Sequence, residues 1–153
     1  MSYLIRDIIH VVINLEHIDY LKISWFLNRI WIGEHTLYNQ RNILTKFRIR
    51  SHKLEIEKGR YMNIPAEQRI CRLCNLDVEN EIHFLLECPS LANTRREILY
   101  QIESRFSNLK FLDIKSKFVW LLSADDHYIY HQLYALLTKL YNKRNDILSS
   151  NTH

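Results

Sequence analysis

Three cysteines and one histidine are the residues in this chain best suited to chemistry. They read Cys71-Arg-Leu-Cys74, then eight residues to His83, then four to Cys88. A Cys-x2-Cys pair turns two thiolates toward one ion from a tight loop, and a His and a Cys from a second element complete a tetrahedron. The resulting Cys3His donor set is that of closed structural zinc sites, so one structural Zn2+ is expected on Cys71, Cys74, His83 and Cys88. Four protein ligands leave no position for water, so no catalytic residues are assigned and the chain is read as a non-enzyme. An odd number of cysteines cannot pair completely in disulfides. Crowded at ligand spacing, they point to a reducing, intracellular setting, nuclear or cytoplasmic.

Other arrangements are weaker. A redox role for Cys71 and Cys74 lacks a surrounding βαβ pattern, and a RING-type double site would need a second ligand set. Asp126, His127 and His131 form a second candidate metal group, because residues four apart share a helix face. Two histidines and a carboxylate would leave an open, hydrolytic position, but no Glu follows His127, and surface histidines are the plainer account. Asp125 and Asp126 resemble the paired aspartates of a polymerase metal site. They fall between two expected helices, where capping explains them better.

Charge is concentrated just before the cluster. Residues 41–72 hold nine basic side chains against three acidic ones, an excess of six in a chain whose formal charge is +4. Such a block suits a polyanion on one face. Arg48, Arg50, Lys53, Arg60, Arg69 and Arg72 are the expected phosphate contacts, with affinity that falls as salt rises. Tyr61 is available to stack on an unpaired base, whereas Phe84, adjoining His83, is better placed beneath the metal. Trp25, Trp31 and Trp120 sit in apolar helical settings and read as core.

The elements that must position these groups are helices. Only two glycines and two prolines occur in 153 residues, too few for the turns of a multi-stranded β fold, while 47% of the chain is apolar. Apolar residues recur at helical spacing through Leu4–Ile13, near residues 18–31, and from about Thr36 to Arg48. Ser51–Lys58 alternates and leans to helix, with Gly59 as its stop. Val78–Glu87 reads as a short helix presenting His83. Pro89 opens a helix to about Phe106, Asp113 caps a shorter one, and the last spans about 126–148. The fold class is mainly α, a small helical domain with an embedded CCHC zinc knuckle. Its parts are a helical N-terminal region (1–63) with the basic segment 41–63, the knuckle and following helix (64–106), and C-terminal helices (107–153). No uncharged apolar run reaches the roughly 18 residues of a membrane span, and the N-terminus is not a convincing signal peptide.

The run IRSHKLEIEKGRYMNIPAEQRICRLCNLDVENEIHFLLECPSLANTRREI resembles the C-terminal zinc-binding region of non-LTR (LINE-like) retrotransposon reverse transcriptase polyproteins. The matching positions are Cys71, Cys74, His83 and Cys88, and the eight-residue gap before the histidine is the most specific part. LTKFRIRSHKLEIEKGRY, NEIHFLLECP and FVWLLS extend the likeness over about residues 35–148. Retroviral nucleocapsid knuckles, with a gap of four, match less well. The chain is far too short for polymerase and endonuclease domains, so the resemblance implies a detached, retroelement-derived tail module. It implies RNA or single-stranded DNA as the ligand. The rival expectation is a zinc-stabilised scaffold for a protein partner or for self-association. A retroelement remnant without function is the third.

Overall fold

A computed structural model describes residues 38–124 and 126–150. The two helices expected within residues 1–31, with Trp25 and Trp31, lie outside the described residues, as does Asp125. Five α-helices follow in order: α1 (Tyr38–Arg48), α2 (Glu55–Tyr61), α3 (Ala92–Arg105), α4 (Ile114–Ser123) and α5 (His127–Ser150). Short 3-10 turns at Ala66–Gln68, Pro89–Leu91 and Ser107–Phe111 link them, and a π-helical turn spans His83–Glu87. The fold is mainly α. Among the described residues the nearest thing to a sheet is one antiparallel bridge, Ile70 to Val78.

Helical phase decides what is buried. Leu44 and Phe47 of α1, Ile98 and Ile102 of α3, Leu121 of α4, and Leu133, Leu136, Leu137 and Leu140 of α5 form one core with Leu85, Leu91 and Phe84. α5 packs along both α1 and α3. Phe84 stacks obliquely on Tyr141 at 4.8 Å and faces Phe47 at 6.3 Å. Trp120 is half-buried against Phe106, 5.2 Å between ring centres.

The helix ends follow ordinary capping physics. Asp113 accepts the Ser116 N–H at 3.0 Å and Asp126 accepts the Ile129 N–H at 3.0 Å, starting α4 and α5. α1 closes with Ser51 N–H on the Lys46 carbonyl and Arg50 N–H on that of Phe47, with Arg50 in the left-handed region at φ 57°. α2 closes the same way through Asn63 at φ 54°, with Ile64 N–H on the Gly59 carbonyl. This six-to-one closure usually takes glycine, and Asn is the common substitute.

Three expectations need correction. Gly59 lies inside α2 instead of stopping it, and is buried. A Cβ there would meet the Arg69 Cγ at 2.6 Å, so the residue is small because the Arg69 stem crosses the helix. The helix carrying His83 begins at Glu81, not at Val78, because Val78 is held in the bridge to Ile70. Pro89 opens a 3-10 turn, and the α-helix proper starts three residues later.

Candidate metal centre

Cys71, Cys74 and Asn75 form one tight turn. The Asn75 N–H donates to the Cys71 carbonyl at 2.8 Å, and Asn75 takes φ 55°, a left-handed conformation that Asn tolerates. Cys71 N–H bonds to the Asp77 carbonyl at 2.8 Å, folding the loop back on itself. Against the larger effect of burial, the backbone amides of Cys74 and Leu73 lower the Cys71 thiol and that of Ser90 lowers the Cys88 thiol. Hydrogen bonds of this kind favour thiolate over thiol.

The second half of the set comes from the π-helical turn. The Asn80 side chain accepts the His83 N–H at 2.8 Å and starts the turn. Cys88 N–H reaches the His83 carbonyl at 2.7 Å, a bond five residues long. The extra residue per turn rotates the chain so that His83 and Cys88 project to the same point. Arg95 of α3 then fastens the turn, donating to the carbonyls of Leu86 at 2.7 Å and Cys88 at 2.6 Å.

The four donor atoms lie within 4.8 Å of one another, so Cys71, Cys74, His83 and Cys88 form a cluster able to bind a metal ion such as zinc. Cys71 Sγ stands 3.8 Å from Cys88 Sγ, and Cys74 Sγ stands 3.4 Å from His83 Nε2. Zinc–sulfur and zinc–nitrogen bonds of about 2.3 and 2.0–2.1 Å imply tetrahedral edges of about 3.8 Å between sulfurs and 3.5 Å from sulfur to nitrogen. The spacing therefore fits the ion. Three of the four ligands are buried and Cys74 is half-buried. Burial pushes the Cys71 thiol up to about 12, with the nearby Cys88 and Glu79 adding to it. Burial raises Cys88 as well, and holds His83 below its usual value, in the neutral form that coordinates. Desolvated thiols of this kind lose their protons when a cation takes their place. Asp77 and Glu87 stand beside His83, where a carboxylate can orient an imidazole.

A buried ion pair adjoins the cluster. Glu79, 0% exposed, receives the Arg144 Nε at 2.7 Å on one oxygen and Nη2 at 2.8 Å on the other. The same carboxylate accepts the first amide of α2, Glu55 N–H, at 2.8 Å, and lies 4.0 Å from Cys71 Sγ. Burial alone would lower Arg144, but its bond to Glu79 raises it. One side chain thus ties the Cys-x2-Cys loop, α2 and α5 together. Glu79, Arg95 and Arg144 were not singled out in the sequence. Their signal is phase: Arg95 continues the buried series Leu91, Ile98, Ile102, and Arg144 continues Leu133, Leu137, Leu140, at four-three-four spacing.

The basic candidates separate into groups. Lys53, Arg60, Tyr61 and Arg72 are exposed, as is Arg50, which pairs with Glu81 at 3.2 Å. Arg60 lies over the Tyr61 ring at 5.2 Å and pairs with Glu57 at 2.8 Å. Arg48 is half-buried. Arg69 is committed internally, donating to the carbonyls of Ile64 at 2.8 Å and Ile56 at 2.7 Å. Phe84 is buried, as its place next to His83 implied. Among the described residues no helix is long and apolar enough to cross a membrane. No protein-family model matches the chain, and neither does any curated protein or solved structure.

Proposed function

We propose that this chain is a non-catalytic module in which Cys71, Cys74, His83 and Cys88 hold one structural Zn2+, and whose exposed basic side chains bind RNA or single-stranded DNA. The observation that carries the metal half is the pair of donor spacings, 3.8 Å between Cys71 and Cys88 and 3.4 Å between Cys74 and His83. When bound, zinc supplies the positive charge that stabilises three thiolates in a buried site. The chain's own residues do the rest: Asn80 and Arg95 set the π-helical turn, and Glu79 with Arg144 locks the Cys-x2-Cys loop to α2 and α5.

The nucleic-acid half is supported by the placement of charge. Arg50, Lys53, Arg60 and Arg72 are exposed around the cluster's flanking elements, and Tyr61 is 79% exposed with a guanidinium over its ring. Stacking on such a ring and phosphate neutralisation nearby are the two terms of sequence-tolerant single-strand binding. Arg69 is left out of this contact set, because its Nε and Nη1 hold backbone carbonyls and its stem crosses α2. The resemblance to the zinc-binding tail of non-LTR retrotransposon polyproteins agrees with this reading and suggests a retroelement origin and an intracellular, nuclear or cytoplasmic site of action.

The test is zinc content followed by binding to RNA, single-stranded DNA and duplex DNA across a salt series. One zinc per chain and a steep salt slope are expected, with Arg72→Gln lowering the slope by about one. Binding indifferent to salt would overturn the assignment. A scaffold reading is favoured by one observation, the exposure of Phe111 (88%) and Leu76 (75%). A stable dimer or protein complex without nucleic-acid affinity would replace the proposal with that one.

A further inference from the structure

The N-terminal end of α5 holds two imidazoles, one turn apart, that the cluster does not use. His127 Nε2 and His131 Nε2 lie 3.2 Å apart, with ring centres at 4.3 Å and planes at 75°. Two nitrogens bound to one ion at about 2.0–2.1 Å would be separated by about 2.9 Å at a right angle and about 3.4 Å at a tetrahedral one. The observed spacing falls between these limits. His127 is exposed and His131 half-exposed, so an ion can approach from solvent.

The pair is held rather than dangling. Asp126 caps the helix through the Ile129 N–H at 3.0 Å, and its carbonyl accepts the Tyr130 N–H at 3.0 Å. The buried Tyr130 ring meets the His131 ring edge-on at 6.1 Å. A direct bond between two Nε2 atoms requires opposite tautomers, one carrying hydrogen and one accepting it. An ion would replace that hydrogen bond with two nitrogen–metal bonds, both rings then keeping their hydrogen on Nδ1.

We infer that His127 and His131 form a second, solvent-facing chelate for a divalent transition ion that prefers nitrogen ligands, such as Zn2+, Ni2+ or Cu2+. Two imidazoles one helical turn apart supply two adjacent coordination positions, and water fills the others. The Asp126 carboxylate, considered with these histidines in the sequence, serves as the helix cap. The site shares no ligand with the Cys3His cluster, so either can be filled or lost without the other.

Equilibrium dialysis of the full chain against Zn2+ tests this, with Ni2+ as a second probe read by thermal shift. Zn2+ beyond any held by the cysteines should bind one further equivalent. His127→Gln or His131→Gln should weaken that equivalent about tenfold or more, and the double variant should remove it. The decisive control moves one ring off the shared face, His131→Gln with Gln132→His, keeping the histidine count. Loss of the extra equivalent there supports a chelate. Undiminished binding in the shifted variant, or no extra equivalent up to about 1 mM Zn2+, overturns it.

Discussion

The C-terminal half of α5 meets charge and irregular backbone, whereas its N-terminal half meets regular helices and apolar rings. Around Tyr141 and Arg144 lie the Phe84 ring, the Glu79 carboxylate and a π-helical turn. Around Tyr128 and Ile129 lie the buried leucines, with Phe106 at 6.4 Å and the Arg105 guanidinium 4.5 Å from the Tyr128 ring. Few, directional and individually expensive bonds specify the first region. Many interchangeable contacts specify the second. The two regions should therefore fail differently.

Metal removal should have the largest effect. Chelation, or Cys71→Ser, should cost folding free energy on the order of ten kcal/mol of gross metal binding. The loss should concentrate in residues 70–91 while the far ends of α3, α4 and α5 stay protected. Amide exchange with and without chelator checks this, and equal protection in both would show that the cluster supports nothing.

Next comes the buried pair. Arg144→Ala should destabilise by about 3–5 kcal/mol in urea unfolding, because it strands the Glu79 charge. Glu79→Leu combined with Arg144→Met should return most of that loss. Additive single effects would break the idea of a coupled pair. Arg144→Lys should also lose stability, since an ammonium cannot reproduce the two-pronged contact.

At the apolar end Leu133→Ala should cost about 2–4 kcal/mol, but Leu133→Met less than about 1.5 kcal/mol. Forgiveness of the conservative change here, against intolerance at Arg144, is the comparison in its sharpest form.

The smallest effect should be visible only through pH. Burial alone would raise Glu81, yet the His52 hydrogen bond at 3.2 Å, its own backbone amide and Arg50 hold it below the usual 4.5. A carboxylate lowered on folding stabilises above its unfolded value, and that contribution is lost as pH falls through its folded value. Unfolding midpoints of the parent and Glu81→Gln should diverge above about pH 4.5 and converge in stronger acid.

The same contrast explains what was legible in the sequence. Apolar phase gave α1, α3, α4 and α5, and ligand spacing gave all four cluster residues, because both signals repeat at fixed intervals. The π-helical turn left no periodic trace; it is set by Asn80 and by Arg95, which reaches back from α3. Gly59 read as a stop because a glycine at a helix end and one under a crossing side chain look alike in one dimension. Arg69, read from the sequence as a phosphate contact, is the residue that crosses it. Arg95 and Arg144 were findable, since a charged residue in phase with a buried stripe asks for a buried partner.

The bond between Glu79 and Arg144 joins residues 65 positions apart. At roughly 5–20 residues added per second, a ribosome makes Arg144 about three to thirteen seconds after Glu79. From Cys88 onward all four cluster residues are synthesised, while the Glu79 carboxylate still lacks its cation and the Cys71 sulfur lacks the helix that helps bury it. All four candidate ligands lie within residues 71–88, so the donor set is complete before α5 is made. An ion captured during synthesis would therefore meet an open loop, and α5 would close over it afterwards.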